Sequence, residues 1–328
     1  TPRCCVLTGV QFPGCSPQAA QPLGSPATEP TAISPVMAYS APSVCPTSQA
    51  RRRRGRSSQP DPCKASLVGL HRPQVVAHRG ASFLEPEHTL AAYLQAIDDG
   101  ADALECDVRL TADGTLVCVH DRRIDRTSRG RGSVSSSHVA ELSKHDYSYR
   151  TWHDFEEPGD PQRTRLLTLE TLLTAALDKR GDIEFAIETK HPVRYGGYVE
   201  RELADVLARF GLDRPRADGV PPVRMMSFSR MAVLRMQKLA PAVPTVFLMD
   251  RIWWPYRDGS LPPGVFAAGP SIEVLKAHPG YVRRVHEAGG QVHVWTVDEK
   301  DDLLVCIDQD VDAVISNRPG KVLGWLGR

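Results

Sequence analysis

The stretch that decides the fold is residues 75–110, VVAHRGASFLEPEHTLAAYLQAIDDGADALECDVRL. Two apolar runs, Val75–His78 and Ala103–Leu110, flank the helix candidate Thr89–Asp99, which is followed by Gly100. Glycine readily takes the left-handed conformation that commonly ends a helix. A strand, a helix and a second strand of these lengths predict a βαβ unit with parallel strands.

The alternation of strands and helices continues to the end of the chain. Seven further apolar runs are strand candidates: Leu116–His120, Phe185–Lys190, Val223–Phe228, Thr245–Met249, Val265–Ala268, Gln291–Val297 and Asp312–Asn317. Five further segments have helical periodicity: Leu169–Lys179, Tyr198–Phe210, Arg230–Leu239, Pro279–Ala288 and Lys300–Ile307. About eight units over roughly 250 residues favour a (β/α)8 TIM barrel over an open doubly wound sheet. No GxGxxG motif follows the first strand, which argues against a dinucleotide-binding fold.

One connection breaks this alternation. Residues 110–115, LTADGT, are too few for a crossover helix, and their Asp-Gly pair is typical of a β-hairpin. A turn centred in the middle of this segment predicts that Glu105 lies opposite His120. Residues 121–165 show no clean periodicity, so we expect a small insertion after the third strand, over the mouth of the barrel.

The N-terminal part of the chain differs in composition from the rest. The first 74 residues hold eight Lys or Arg and two Asp or Glu, a net charge of 8 − 2 = +6, and 12 of the 27 prolines. They show no helical or strand periodicity, so they cannot bury enough apolar surface to offset the entropy lost on ordering. We therefore predict a disordered arm at residues 1–73 and one barrel domain at residues 74–328.

The overall composition excludes several classes of protein. A formal charge of +1, 41% hydrophobic and 24% charged residues are ordinary for soluble globular proteins and exclude a collagen or a coiled-coil rod. No run of about 18 apolar residues predicts a transmembrane helix. Three of the eight cysteines follow the arm, and no CxxC pair indicates zinc. Reduced thiols and the lack of a signal peptide predict a cytoplasmic location, whereas the oligomeric state is left open.

His78 and Arg79 lie at the end of the first predicted strand. In a barrel of this kind the carboxyl ends of the strands carry the active site. The planar guanidinium of Arg79 is suited to holding phosphate oxygens. The alternative is a surface turn that happens to contain both residues.

Carboxylates recur inside the apolar strands. Glu105 and Asp107 are two residues apart, so they share one face of their strand, and Glu188 and Lys190 repeat the pattern on a later strand. Burying such acids without a partner is costly. Ca²⁺ and Mg²⁺ prefer carboxylate oxygens, so we expect one divalent cation beside a phosphate group. The alternative is a solvated strand face.

Two further residues complete the candidate site. His120 ends the hairpin and supplies a second imidazole, and two histidines beside a phosphodiester could serve as general acid and general base. Trp295 lies on a strand near the end of the chain. The apolar residues around Trp295 slightly favour a role in core packing. The alternative is a functional role, in which Trp295 forms an apolar wall for the organic part of a substrate.

These residues belong to a series of motifs that resembles the glycerophosphodiester phosphodiesterase family. In order, the motifs are His78-Arg79-Gly80, Pro86-Glu87-His88-Thr89, Gly100-Ala101-Asp102, Glu105-x-Asp107-Val108, Thr111-x-Asp113-Gly114, His120-Asp121, Glu188-x-Lys190, Ser227-Phe228, Val294-Trp295-Thr296-Val297 and residues 311–319, VDAVISNRP. Each motif alone is weak, but their ordered occurrence over about residues 74–325 is highly specific.

The resemblance implies a phospholipase C-like (β/α)8 barrel, active in lipid and glycerol metabolism. It implies hydrolysis of a small glycerophosphodiester to sn-glycerol 3-phosphate and an alcohol. It also assigns residues by position: a catalytic pair, His78 and His120; a set for one Ca²⁺ or Mg²⁺, Glu105, Asp107 and Glu188; and a phosphate-binding pair, Arg79 and Lys190. Trp295 joins them as a substrate-contacting residue.

The chain departs from the family pattern at two positions. The family usually has Asn where His88 stands and Asp where Asn317 stands. The resemblance assigns no catalytic role to either position. We expect these departures to affect loop geometry and helix capping and to leave the reaction unchanged.

Three other functions are weaker explanations of the sequence. A lysophospholipase D-like or phosphatidylinositol-cleaving barrel needs an apolar mouth or a membrane-facing helix, whereas the predicted insertion is polar. Binding of nucleic acid through Arg51–Arg56 lacks interleaved aromatic residues, so no nucleic-acid partner is expected. A non-catalytic scaffold would have no need for both histidines, all three acids and the Lys/Arg pair.

The predicted arm yields a first test. A truncated chain that begins at Pro73 should melt at the same temperature as the full chain, because the arm should add nothing to the barrel core. Its kcat/KM should stay within a few-fold at physiological salt, where exposed charges are screened beyond about 8 Å. Parallel melting curves and kinetic assays measure both. A melting temperature lower by several degrees would mean that the arm packs on the barrel.

Overall fold

The computed structural model describes residues 72–148 and 160–328. All but the last two residues of the predicted arm lie outside the described residues, as does the stretch 149–159 of the predicted insertion.

Eight parallel strands form a closed barrel, which confirms the predicted fold. Nine strands are present in the described residues: β1 Gln74–His78, β2 Ala103–Leu110, β3 Leu116–Cys118, β4 Glu184–Thr189, β5 Val223–Ser227, β6 Thr245–Met249, β7 Ala267–Pro270, β8 Gln291–Trp295 and β9 Ala313–Ser316. Around the barrel the order is β1, β2, β4, β5, β6, β7, β8 and β9. The ring closes because β1 pairs in parallel with both β2 and β9, while β3 lies outside it, antiparallel to β2.

Helices connect most of the barrel strands. The described residues contain α1 Leu90–Asp98, α2 Val139–Leu142, α3 Pro161–Thr164, α4 Leu169–Lys179, α5 Tyr198–Arg209, α6 Arg230–Leu239, α7 Ile272–Ala277, α8 Tyr281–Glu287, α9 Lys300–Asp308 and α10 Pro319–Trp325. The sequence prediction missed the four-residue helices α2 and α3. It also missed α7 and α10, which have six and seven residues. Their start signals were present: Ser271 caps α7, and Pro319 is the first residue of α10.

The predicted register of the hairpin is wrong by one residue. Val108 pairs with Cys118, so Glu105 does not lie opposite His120. The loop has three residues rather than two, and it ends at Gly114, whose φ is +82°. This is the loop in which a type I turn is followed by a left-handed residue. His120 lies beyond the end of β3 and is therefore placed by the segment that follows the strand.

The interior of the barrel is layered because every second residue of a strand points inward. An apolar cluster fills its middle: Val76, Ala103, Ala186, Met226, Val246, Leu248, Ala267, Ala313 and Ile315. Two residues before or after this layer along the strands, the inward-pointing side chains are polar. On β4, for example, Glu184 precedes Ala186 and Glu188 follows it. The barrel therefore has one polar end at the start of its strands and another at their carboxyl ends.

Candidate active site

A cavity of about 230 Å³ opens at the carboxyl ends of the strands. Its polar lining contains six of the predicted site residues: His78, Arg79, Glu105, His120, Glu188 and Lys190. Its apolar lining includes Trp295, Phe228, Met226 and Leu248. Asp107 does not line the cavity but contacts two residues that do, Arg79 and Lys190. The structure thus brings all eight predicted site residues to one place.

Strand register explains how the central acids meet. In the parallel pair of β2 and β4, Asp107 lies directly beside Glu188, and in the pair of β1 and β2, His78 lies beside Glu105. Neighbours in register project their side chains to the same face of a sheet. One ligand oxygen from each of Glu105, Asp107 and Glu188 lies within 4.8 Å of the other two.

The turn after β1 presents Arg79 in a strained conformation. Its φ is +59°, the left-handed region, which costs a non-glycine residue of order 1 kcal/mol or more. Its backbone N–H donates to the carboxylate of Glu105 over 2.9 Å. Gly80 follows, and a Cβ at this position would lie 2.6 Å from the backbone of Ala92 in α1. Helix α1 therefore packs closely against the turn and fixes the position of Arg79.

Two cations neutralise part of the acidic cluster. Arg79 Nε lies 3.0 Å from Asp107 Oδ2, and Lys190 Nζ lies 3.4 Å from Asp107 Oδ1 and 2.8 Å from Glu188 Oε1. Burial would raise the pKa of Asp107, but the hydrogen bond from His88 and the charges of Arg79 and Lys190 hold it well below its ordinary value. Asp107 is therefore the member of the cluster that ionises most readily.

The other two acids resist ionisation in the absence of a cation. Burial and the charge of Asp107 raise the pKa of Glu105 well above its ordinary value. The same two causes raise the pKa of Glu188 to about 8. Like charges in a buried site oppose one another's ionisation. The cluster thus lacks the positive charge that would let all three carboxylates ionise together.

This cluster fits a divalent cation. Three carboxylates are the oxygen donor set that Ca²⁺ and Mg²⁺ prefer. With all three ionised, the acids carry −3 and Arg79 with Lys190 carries +2, a net charge of −3 + 2 = −1. A divalent cation would change this to −1 + 2 = +1, which balances the single negative charge of a phosphodiester.

His78 is held by a chain of polar groups from the last strands. Its Nδ1 lies 2.7 Å from Asn317 Oδ1, and Asn317 Nδ2 donates to Asp298 Oδ2 over 2.6 Å. The bond to Asp298 turns the amide oxygen towards His78, and this oxygen can only accept. Nδ1 therefore carries the hydrogen and Nε2 the lone pair. Burial, followed by the charge of Arg79, lowers the pKa of His78 to about 3, so the ring is neutral at physiological pH.

His120 is held differently. Its Nδ1 lies 2.7 Å from a carboxylate oxygen of Asp121, and its backbone carbonyl accepts hydrogen bonds from Nε and Nη2 of Arg109 over 2.9 and 2.7 Å. Burial lowers the pKa of this ring too. About one third of the His120 side chain is exposed, so the ring is open to the cavity and to solvent.

Trp295 forms one wall of the cavity. Its Nε1 donates to the carbonyl of Gly269 over 2.8 Å, which fixes the orientation of the indole. Phe228 meets it edge to face, with 5.5 Å between ring centres. The sequence left two explanations open for Trp295, core packing and an apolar wall for the substrate. In the structure Trp295 lines the cavity and also packs against the apolar interior of the barrel.

Sequence reasoning missed the polar groups that support the site. His88 Nε2 lies 2.9 Å from Asp107 Oδ2, and Asn317 contacts His78. The expectation that these two positions concern only loop geometry and helix capping is therefore wrong. Asp298, which orients Asn317, carried no sequence signal that distinguished it from other surface acids. The deviation of the chain from the family pattern at His88 and Asn317 was the signal that could have directed attention to them.

Comparisons with known proteins agree with this geometry. The model of the "Glycerophosphoryl diester phosphodiesterase family" matches residues 78–321. A curated relative from Mycobacterium tuberculosis, "Probable glycerophosphodiester phosphodiesterase 1", is 45% identical over 255 residues, which cover 77% of this chain and 92% of the relative. The "Glycerophosphodiester phosphodiesterase" of Bacillus subtilis is 31% identical over 259 residues, covering 78% and 87%.

Solved structures share the fold. A phosphodiesterase from Oleispira antarctica, in complex with the product sn-glycerol-3-phosphate, superposes with a TM-score of 0.65 at 24% identity and covers 78% of this chain and 97% of its own. A glycerophosphodiester phosphodiesterase from Agrobacterium tumefaciens gives a TM-score of 0.62, also at 24% identity, covering 77% and 100%.

The contact between His78 and Asn317 leads to a prediction about the imidazole. At neutral pH, His78 should be uncharged and protonated on Nδ1, because the Asn317 oxygen can only accept. Asn317→Ala should remove this preference and populate the Nε2–H form, whereas Ser82→Ala, which leaves the amide in place, should not. ¹⁵N chemical shifts of the imidazole measure the tautomer. A wild-type ring that carries its hydrogen on Nε2 would contradict the geometry.

Proposed function

The chain belongs to the glycerophosphoryl diester phosphodiesterase family, and from this membership we propose that it hydrolyses a glycerophosphodiester to sn-glycerol 3-phosphate and an alcohol. It is a phosphodiester hydrolase. The observation that carries the finer proposal is one cavity lined by two histidines, two cations and two of the three carboxylates of the acidic cluster. The relative from Oleispira antarctica, which binds sn-glycerol-3-phosphate as its product, supports this substrate class.

We propose that Glu105, Asp107 and Glu188 hold one divalent cation, Ca²⁺ or Mg²⁺. When bound, the cation supplies positive charge that stabilises the phosphoryl oxygens as negative charge grows on them. The carboxylates would ionise more readily in its presence, because its charge offsets the burial and mutual repulsion that raise the pKa values of Glu105 and Glu188.

Arg79 and Lys190 bind the phosphate oxygens in this proposal. Both are held in the cavity by Asp107, which lies beneath them and is almost fully buried. A buried carboxylate that positions two cations makes them available without the entropy loss of ordering long side chains. The guanidinium of Arg79 offers a planar set of donors, and the ammonium of Lys190 acts as a point charge.

His78 and His120 move the protons. One imidazole accepts the proton of the nucleophile, which is either water or the neighbouring hydroxyl of the glycerol moiety. The other, in its imidazolium form, donates its Nε2 proton to the oxygen of the leaving alcohol. Both rings line the cavity, and each has its Nδ1 held by an oxygen, from Asn317 and Asp121 respectively, so that Nε2 is the nitrogen left for the substrate.

The apolar wall would receive the uncharged part of the substrate. Trp295 and Phe228 line the cavity beside Met226 and Leu248, and Lys190 Nζ lies 5.9 Å from the centre of the Phe228 ring. A small glycerol or alcohol moiety suits a cavity of about 230 Å³. The preferred alcohol is not specified by these contacts.

Other properties stay predictions. No helix within residues 72–148 and 160–328 is long and apolar enough to cross a membrane. The cytoplasmic location, the absence of a nucleic-acid partner and the division into an arm and a barrel domain are proposed from the sequence. Free thiols at Cys106, Cys118 and Cys306 agree with a reducing location.

The activity and its metal dependence can be tested together. The full chain should release glycerol 3-phosphate from glycerophosphocholine, and EDTA should abolish the release until Ca²⁺ or Mg²⁺ is restored. Glu188→Gln should remove most of the activity and leave the circular dichroism spectrum unchanged, because it deletes one carboxylate of the proposed metal site. Glu170→Gln, on the exposed side of α4, is the control and should be fully active. Full activity of metal-stripped protein would overturn the metal proposal.

The two histidines lead to a separate prediction. His78→Ala and His120→Ala should each lower kcat by about 10²–10⁴, the usual contribution of a positioned acid or base. Melting temperatures should change little, and His278→Ala, at an exposed position, serves as the control. Steady-state kinetics at saturating substrate measure kcat. Near wild-type turnover of either variant would show that the substituted histidine is not a catalyst.

A further inference from the structure

Arg126, in the insertion that follows β3, bonds to two acids beside the active site. Its Nη1 and Nη2 donate to the two carboxylate oxygens of Glu87 over 2.8 and 2.6 Å, and its Nε donates to Oδ2 of Asp121 over 2.6 Å. Glu87 lies in the connection between β1 and α1, and Asp121 directly follows His120. One planar guanidinium therefore joins two segments that each carry a residue of the proposed site.

Each of these two carboxylates also holds a residue of the proposed site. Oε1 of Glu87 accepts a hydrogen bond from Nη1 of Arg79 over 3.1 Å, and Oδ1 of Asp121 lies 2.7 Å from Nδ1 of His120. The contacts form an unbroken series from the phosphate-binding guanidinium to the acid–base imidazole, with Arg126 at its centre. Arg126 is not among the residues that line the active-site cavity, so it reaches the substrate only through its partners.

Arg126 helps to keep both acids ionised. Burial would raise the pKa of Glu87, but the hydrogen bond from Arg126 and the charge of Arg79 lower it to about 2. Burial would also raise the pKa of Asp121, but hydrogen bonds from Arg126 and His120 hold it below its ordinary value. Ionised carboxylates accept stronger hydrogen bonds than neutral oxygens do. They therefore hold the donors of Arg79 and His120 in fixed directions.

The orientation of the His120 ring depends on this series of contacts. Arg109 holds only the backbone carbonyl of His120, so the bond from Nδ1 to Asp121 is what restricts rotation of the ring. About one third of the Asp121 side chain is exposed, so without Arg126 its carboxylate is free to turn towards water. A displacement of about 1 Å at a reacting group can lower a rate by about 10²-fold.

A second Arg–Glu pair allows this role to be separated from simple attachment of the insertion. Arg163, in α3, donates through Nε and Nη2 to the two carboxylate oxygens of Glu85 over 2.8 Å each. This pair joins the insertion to the same connection between β1 and α1. Among the described residues, Glu85 bonds to neither Arg79 nor His120. Arg163 is therefore a matched control for Arg126.

We propose that Arg126 is a positioning residue that fixes His120 relative to Arg79 through Asp121 and Glu87. The inference rests on the proposed roles of His120 in proton transfer and of Arg79 in phosphate binding. A phosphodiester held by Arg79 then presents its reacting oxygen at a constant distance from Nε2 of His120. Exposed ion pairs contribute little to folding stability, so Arg126 should affect the rate far more than the melting temperature.

The first test is kinetic, with the full chain, glycerophosphocholine and either Ca²⁺ or Mg²⁺. Arg126→Gln should lower kcat/KM by about 10- to 100-fold, the effect of a misplaced reacting group, with little change in melting temperature. Arg163→Gln should behave like the wild type. Wild-type kinetics of Arg126→Gln, or an equal loss of activity in Arg163→Gln, would overturn the proposal.

Two further variants identify how Arg126 acts. Adding Arg126→Gln to Asp121→Asn should lower kcat no further than Asp121→Asn alone, because both changes break the same series of contacts. Arg126→Lys keeps the charge but lacks the planar set of donors, so it should restore little of the activity. Independent losses in the double variant, or full activity of Arg126→Lys, would contradict a positioning role.

A last measurement needs no catalytic activity. In metal-free protein, at a pH where His120 is neutral, its ring should carry the hydrogen on Nδ1, because the ionised Asp121 can only accept. ¹⁵N chemical shifts should show that Arg126→Gln populates the Nε2–H form and that Arg163→Gln does not. An unchanged tautomer in Arg126→Gln would overturn the inference. A chain that hydrolyses no glycerophosphodiester would instead contradict the proposed function, and it would still give this signal.

Discussion

The structure depends on the burial of three carboxylates beside one another. Asp107 and Glu188 are neighbours in the register of β2 and β4, and Glu105 lies two residues from Asp107 on the same strand face. Burial and the charge of Asp107 raise the pKa values of Glu105 and Glu188. The hydrogen bond from His88 and the charges of Arg79 and Lys190 lower the pKa of Asp107 against the effect of its burial. The same cluster thus fixes the phosphate-binding cations and leaves a place for one more positive charge.

The layered interior of the barrel gives this cluster its setting. Because side chains alternate along each strand, an apolar layer in the middle leaves polar layers at both ends. At the carboxyl ends the polar layer is the proposed catalytic site. At the other end the same alternation places Glu184, Arg224 and His293. The alternation of side chains along the strands therefore explains why both ends of the barrel are polar.

Local sequence patterns were sufficient for the fold and for the residues of the proposed site, but not for their support. The strand–helix alternation predicted the barrel, and the paired acids at Glu105, Asp107 and Glu188 predicted the cluster. The contact of His78 with Asn317 joins residues 239 positions apart, so no local pattern could have indicated it. The hairpin register depended on whether Gly114 closes a two- or a three-residue loop, which an Asp-Gly pair alone does not decide.

The most direct test of the central claim is calorimetric titration of metal-stripped protein with Ca²⁺ or Mg²⁺ at pH 7 in two buffers of different ionisation enthalpy. The account predicts one binding site per chain and the release of protons on binding, because Glu105 and Glu188 must ionise to bind the cation. Glu188→Gln should weaken the binding and reduce the proton release. The absence of saturable binding, or binding without release of protons, would contradict it.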